Sequence, residues 1–209
     1  MLQFITNTNC NVPVEAQVAA ALDGGCRWVQ LRMKDASDDE IRRVVSVIKP
    51  MCDQMEAFLI LNDRVNLAKE LEVSGVHVGK EDMSPSEARA ILGAGAVIGV
   101  TVNTFEDVLR AATCDIDYVG IGPYRHTTTK KNLAPILGKE GISEICRQMD
   151  EKGIEIARVA VGGIGIDDIL PLMECGVNGV AVSGAIANAK DMAAATSELV
   201  RLLNSTLKN

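Results

Sequence analysis

Aromatic residues are scarce in this chain, with one Trp, two Tyr and three Phe among 209 residues. The interior implied by a 47% hydrophobic content must therefore be built from Val, Ile, Leu, Ala and Met, which suits many short buried parallel strands covered by helices. Positive charge is also in short supply. With 21 Lys and Arg against 28 Asp and Glu, the net charge of −7 excludes a general nucleic-acid surface, which needs a basic field. The six cysteines, Cys10, Cys26, Cys52, Cys114, Cys146 and Cys175, form no CxxC pair, so neither a disulfide framework nor a zinc site is expected. No apolar run approaches the roughly 18 residues of a spanning helix, and Met1 to Thr6 lacks the charged and apolar regions of a leader. A soluble cytoplasmic protein is expected, as a monomer or small homo-oligomer acting on small molecules, with no nucleic acid or membrane partner. No linker is visible, so residues 1–209 are expected to form a single domain.

What the chain does contain is an alternation of short apolar runs with amphipathic segments. The runs Leu2–Thr6, Trp28–Arg32, Phe58–Leu61, Gly75–Val78, Val97–Val102, Tyr118–Ile121, Arg158–Val161 and Gly179–Val182 make eight candidate strands. Between them, spacings such as Ile41, Val44, Val45 and Ile48, or Ile142, Ile145 and Met149, have the helical period. Start signals agree: Ser37 before Asp38 and Asp39, Ser84 before Pro85, and Thr104 with Asp107 three residues on. Eight units repeating about every 26 residues predict a single (β/α)8 TIM barrel. A doubly wound sheet is the alternative, but it would more often carry a Gly-rich turn after its first strand, where Thr6-Asn7-Thr8-Asn9 stands instead.

Strand alternation then sorts the candidate site residues. In the second strand Gln30, Arg32 and Lys34 share one face and Val29, Leu31 and Met33 the other. Long polar side chains under helices would carry a large desolvation cost, so the first set is expected in the upper lumen. Asp63 and Asp82 fall at or just beyond the C-terminal ends of the third and fourth strands, where barrel active sites lie. Two carboxylates there suit Mg²⁺, whose remaining ligands are water and substrate phosphates. Because each acid also precedes a helix, capping is an equal reading. His77, inside the fourth strand, reads as a hydrogen-bonded core residue. Gly99, Thr101 and Asn103 share a face of the fifth strand and leave room for a ligand. Gly162-Gly163-Ile164-Gly165 and Ser183-Gly184-Ala185 follow strands seven and eight, the usual phosphate cradle of such barrels. The stretch Gly120 to Lys131 reads as an anion-gripping loop: amides at Gly120 and Gly122, three hydroxyls at Thr127, Thr128 and Thr129, and the charge of Lys130. Together these imply two anion sites, one of glycine amides and one of a metal with Arg32, Lys34 and Lys130.

Along essentially its full length the sequence resembles the thiamin phosphate synthase family. The shared motifs are Gln30-Leu31-Arg32-Met33-Lys34, Asn62-Asp63-Arg64, Gly75-Val76-His77-Val78-Gly79 with Asp82, Gly99-Val100-Thr101, Gly122-Pro123 with Thr127-Thr128-Thr129-Lys130, Gly162-Gly163-Ile164, and Ser183-Gly184-Ala185-Ile186. The resemblance implies a transferase that joins an aminopyrimidine diphosphate to a thiazole phosphate. It places the Gln30-to-Lys34 motif, Asn62, Thr101 and Lys130 on the diphosphate substrate, with Mg²⁺ held by Asp63 and Asp82. Thr127 to Thr129, Gly163, Ser183 and Gly184 would hold the thiazole phosphate. The family pattern has a more apolar pair where Arg125-His126 stands here. The rival readings are thiazole tautomerase, a related barrel that uses no metal, and a non-catalytic sensor of a phosphorylated ligand.

Overall fold

The computed structural model describes residues 1–126 and 135–206. Eight parallel strands close into a barrel in sequential order, β1 (Leu2–Ile5), β2 (Trp28–Leu31), β3 (Phe58–Asn62), β4 (Gly75–Val78), β5 (Val97–Val102), β6 (Tyr118–Ile121), β7 (Ala157–Val161) and β8 (Gly179–Val182). Closure is made by β1 against β8, with Leu2 opposite Val180 and Phe4 opposite Val182. The expected strands are all present, with ends shifted by one residue at β1, β2, β3 and β7. The barrel is thus the TIM fold that the eightfold alternation predicts, and the doubly wound sheet is excluded.

Helices α1 (Val14–Asp23), α2 (Asp38–Gln54), α3 (Val65–Glu70), α4 (Pro85–Leu92), α5 (Phe105–Ala111), α6 (Gly138–Glu151), α7 (Ile169–Met173), α8 (Gly184–Ala187) and α9 (Met192–Thr206) surround it. Ser37, Ser84 and Thr104 each cap a helix and complete a reciprocal capping box with Glu40, Glu87 and Asp107. Alternation divides the core in two. Outward residues such as Phe4, Val29, Leu59, Leu61, Val76, Ile98, Val180 and Val182 pack under the helices, while Ile5, Trp28, Ile60, Tyr118, Val159 and Ala181 fill the lumen. Trp28 meets Tyr118 edge-on at 4.7 Å, the preferred aromatic geometry. This apolar filling leaves the polar inward positions to line the other end of the lumen.

Candidate active site

A cavity of about 530 Å³ occupies the barrel mouth at the C-terminal ends of the strands. Gln30, Arg32, Lys34, Asn62, Asp63, Asp82, Thr101, Gly163, Ser183 and Gly184, all expected in the site, line it. Leu31 and Met33 do not. Leu31 is 2% exposed in the layer between barrel and helices, and Met33 packs against the same layer. The pleat sends alternate side chains to opposite faces, so contiguity in a motif does not place these two on a substrate. Thr127, Thr128, Thr129 and Lys130 lie outside the described residues.

The end of β2 is anchored by a residue that the motifs passed over. Thr6, fully buried after β1, accepts from the Arg32 amide at 2.9 Å and donates back to the Arg32 carbonyl at 3.3 Å. Burial lowers the Arg32 pKa, against the opposing pull of Asp63 and Asp35. A partly desolvated guanidinium of this kind gains most from a multiply charged anion.

Asp63 and Asp82 come together, and neither is a helix cap. The N-cap of α3 is Arg64, without a side-chain cap bond, and α4 is capped by Ser84. Asp63 instead sits at φ +66°, a left-handed conformation that Asp tolerates better than most residues. Its carboxylate reaches Lys34 Nζ at 3.0 Å. Asp82 is held by the Gly79 amide, which donates to its Oδ2 at 2.7 Å. Burial first, and then the hydrogen-bonded Asp82 carboxyl, push the Asp63 pKa up, with Lys34 offsetting part of the effect. Two crowded carboxyls are what a bound cation would relieve. No group of three or more His, Cys, Asp or Glu with metal-binding spacing occurs among the described residues. Two carboxylates are the hard oxygen donors with which a protein holds a cation whose other ligands are water and phosphate.

Two buried polar atoms on the cavity wall, Asn62 Nδ2 and Ser183 Oγ, have no hydrogen-bond partner among the described residues. An unsatisfied buried group costs about 1–3 kcal/mol, and a ligand in the cavity would supply the partners. Asn62 belongs to β3, beside Asp63, and Ser183 is the N-cap of α8.

The loops after β6 and β7 are tied to each other. The amides of Tyr124 and Arg125 donate to the carbonyls of Val161 and Gly162, each at 2.9 Å. Gly163, at φ +65°, makes this approach possible, since a Cβ there would lie 2.8 Å from the His126 carbonyl. Arg125 grips Asp168 through two bonds of 2.6 Å, and Asp168 accepts the Gly165 amide at 2.8 Å. Arg125 stood out only as a departure from the family pattern and Asp168 not at all, because the 43 residues between them hide the pair. Two expectations change here. The Gly122 amide donates to the Val102 carbonyl at 3.2 Å, so it is committed to β5 rather than to an anion. Gly120 makes room for a side chain, since a Cβ there would come within 3.0 Å of His77 Cε1. Gly99 likewise accommodates Tyr118, whose ring would meet a Cβ at 2.0 Å, and not a ligand. His77 is hydrogen-bonded as expected, yet it also faces the cavity. Its shared parity with Gly75 and Gly79 was the signal for that.

A (β/α)8 barrel whose mouth combines paired acids, flanking cations and a glycine-rich rim carries these groups at the end of the barrel where TIM-barrel enzymes have their active sites. The model of thiamine monophosphate synthase matches residues 2–186. A thiamine-phosphate synthase from Bacteroides fragilis is 53% identical over 97% of this chain and 98% of its own. One from Flavobacterium johnsoniae is 43% identical, covering 88% and 87%. Among solved structures, the thiamine phosphate pyrophosphorylase from Pyrococcus furiosus superimposes with a TM-score of 0.87 at 30% identity, covering 99% of this chain and 96% of its own. The chain belongs to the thiamine monophosphate synthase family, and it is an enzyme of the transferase class that this family defines. No helix among the described residues is long and apolar enough to cross a membrane.

Proposed function

We propose that the mouth condenses 4-amino-2-methyl-5-(diphosphooxymethyl)pyrimidine with thiazole phosphate to give thiamin phosphate and pyrophosphate. The observation that carries this reading is one cavity with two unlike ends. At one end Lys34 stands 3.0 Å from Asp63 beside Asp82, and at the other the unpartnered Ser183 hydroxyl lies among glycines. The diphosphate belongs at the first end and the thiazole phosphate at the second.

In this reading Asn62 and Thr101 orient the pyrimidine diphosphate, with Gln30 beneath. Arg32 and Lys34, joined by Lys130, neutralise negative charge as it gathers on the leaving group. Asp63 and Asp82 would hold Mg²⁺, which when bound supplies further charge neutralisation to the diphosphate. The bond from the pyrimidine methylene carbon to the diphosphate oxygen breaks, and its electron pair leaves with pyrophosphate. The thiazole nitrogen then donates its lone pair to the same carbon. Thr127, Thr129, Gly163, Ser183 and Gly184 hold the thiazole phosphate so that this nitrogen faces the carbon. Neither step requires a protein nucleophile, so catalysis rests on positioning and charge stabilisation. The enzyme is placed in the cytoplasm, with small molecules as its partners.

Thiamin phosphate formation, measured with each substrate varied in turn, tests the two ends separately. Asn62→Leu should raise KM for the pyrimidine diphosphate and Ser183→Ala KM for the thiazole phosphate. If both variants moved the same constant, the two-ended assignment would fail.

A further inference from the structure

The lumen contains a line of polar side chains, contributed by five strands, of which the condensation scheme uses only the two ends, Gln30 and Thr101. Gln30 Nε2 donates to Gln3 Oε1 at 3.3 Å, and Gln3 Nε2 donates to the Tyr118 hydroxyl at 3.0 Å. That hydroxyl lies 2.8 Å from His77 Nδ1, and His77 Nε2 lies 2.9 Å from Thr101 Oγ1. Gln3, Gln30 and Tyr118 are at most 2% exposed, while Thr101 is half-buried on the cavity wall. The backbone makes space for both rings. A side chain at Gly99 would collide with Tyr118, and one at Gly120 would press on His77.

The line has a direction. An amide nitrogen can only donate, and the Tyr118 oxygen, met by the side chains of both Gln3 and Gln30, accepts from the two amides and has no lone pair left for His77. Burial raises the Tyr118 pKa, so the phenol keeps its proton. That proton is then donated to His77 Nδ1, which leaves the neutral imidazole with its own proton on Nε2. Nε2 then donates to Thr101 Oγ1, which leaves the Thr101 hydroxyl proton free for the cavity that this residue lines.

We propose that Gln3, Tyr118 and His77 are positioning residues that fix the Thr101 hydroxyl as a hydrogen-bond donor, so that this point of the mouth takes an acceptor atom of the substrate. That the substrate here is the pyrimidine diphosphate rests on the reading above; the polarity of the line does not. If His77 took the other tautomer, Thr101 would donate to it and present only lone pairs to the ligand. Tyr118→Phe removes the group that selects the tautomer, at almost unchanged volume.

Two measurements test this. The chain has two histidines, so ¹⁵N-histidine spectra of the ligand-free protein, assigned with a His126→Ala variant, read the His77 tautomer directly. The Nε2–H form is expected, and the Nδ1–H form would overturn the proposal whether or not the enzyme makes thiamin phosphate. Kinetically, Tyr118→Phe should lower kcat/KM for the pyrimidine diphosphate by about 10- to 100-fold, as loss of an orienting partner commonly does. It should leave KM for the thiazole phosphate unchanged. Gln3→Leu should act in the same direction. In a Thr101→Val background, Tyr118→Phe should have no further effect, because it acts only through the Thr101 hydroxyl. Independent, multiplicative losses would mean that Tyr118 merely supports the lumen, and would overturn the proposal. A wild-type protein that forms no thiamin phosphate but shows the Nε2–H tautomer would fail the functional reading and leave the relay standing.

Discussion

Asp168→Ala should loosen the rim of the site and lower the stability of the whole domain. The carboxylate is 5% exposed and receives two bonds of 2.6 Å from Arg125, one of 2.8 Å from the Gly165 amide and one of 3.3 Å from the Tyr124 hydroxyl. Hydrogen bonds to a charged group are worth about 1.5–3 kcal/mol each, but the sum overstates the cost. Arg125 is half exposed and recovers solvation once released, and its stacking over the Tyr124 ring at 4.7 Å does not need Asp168. The lasting loss is at the Gly165 amide and the Tyr124 hydroxyl, about 2–4 kcal/mol together. For a chain of this size that corresponds to a fall in Tm of roughly 5–15 °C. Thermal and urea denaturation measure it, with Arg125→Ala as the milder companion because its removal leaves two donors on Asp168. Since Gly163 and Arg125 lie on the loops joined here, KM for the thiazole phosphate should rise more than KM for the diphosphate. A Tm within roughly 2 °C of wild type, or a larger loss for Arg125→Ala than for Asp168→Ala, would refute this view of the carboxylate as the tie between the loops.

Other outcomes follow from the same geometry. Asp63→Asn should lower kcat on the order of 10²–10³-fold while Tm stays level or rises. Asn tolerates the +66° φ, and a carboxyl whose pKa is raised opposes folding once ionised; a clear drop in Tm would contradict this. Asp107 should behave in the opposite sense. Burial opposes its ionisation, yet Lys80, the Asn103 amide and Arg110 hold its pKa down from 3.8 to about 2. Its ionised form therefore contributes about 2 kcal/mol, fully present above the unfolded pKa near 4 and lost as pH falls toward about 2. The stability gap between wild type and Asp107→Asn in urea titrations should be flat above about pH 5 and close below pH 4. Gly99→Ala should fold poorly, because its Cβ would fall 2.0 Å from the Tyr118 ring. Soluble expression with an unchanged near-ultraviolet dichroism spectrum would contradict that.

The parts of the molecule legible in the sequence were those governed by local periodicity. Eight apolar runs at regular spacing gave the barrel, and the period of two correctly put Gln30, Arg32 and Lys34 in the mouth. The same rule sends the side chains of Leu31 and Met33, which contiguity with that motif had drawn into the substrate set, to the layer between barrel and helices. What local pattern could not reveal was contact across the barrel. Gly99 reads as space for a ligand until Tyr118, 19 residues later and one strand over, is seen filling it. The Arg125 and Asp168 pair joins the segments that follow two neighbouring strands, β6 and β7, which no local pattern brings together. His77 lay between: it reads as a hydrogen-bonded core residue and is hydrogen-bonded, but its partners Tyr118 and Thr101 come from two other strands and it also lines the cavity.

The most direct test of the account is a single-turnover mixture of the purified enzyme with stoichiometric aminopyrimidine diphosphate, thiazole phosphate and Mg²⁺, quenched and quantified for products. Equimolar thiamin phosphate and pyrophosphate, both absent when either substrate is omitted, is the expected result. Binding of both ligands without product, or consumption of a thiazole isomer in the absence of metal and pyrimidine, would contradict it.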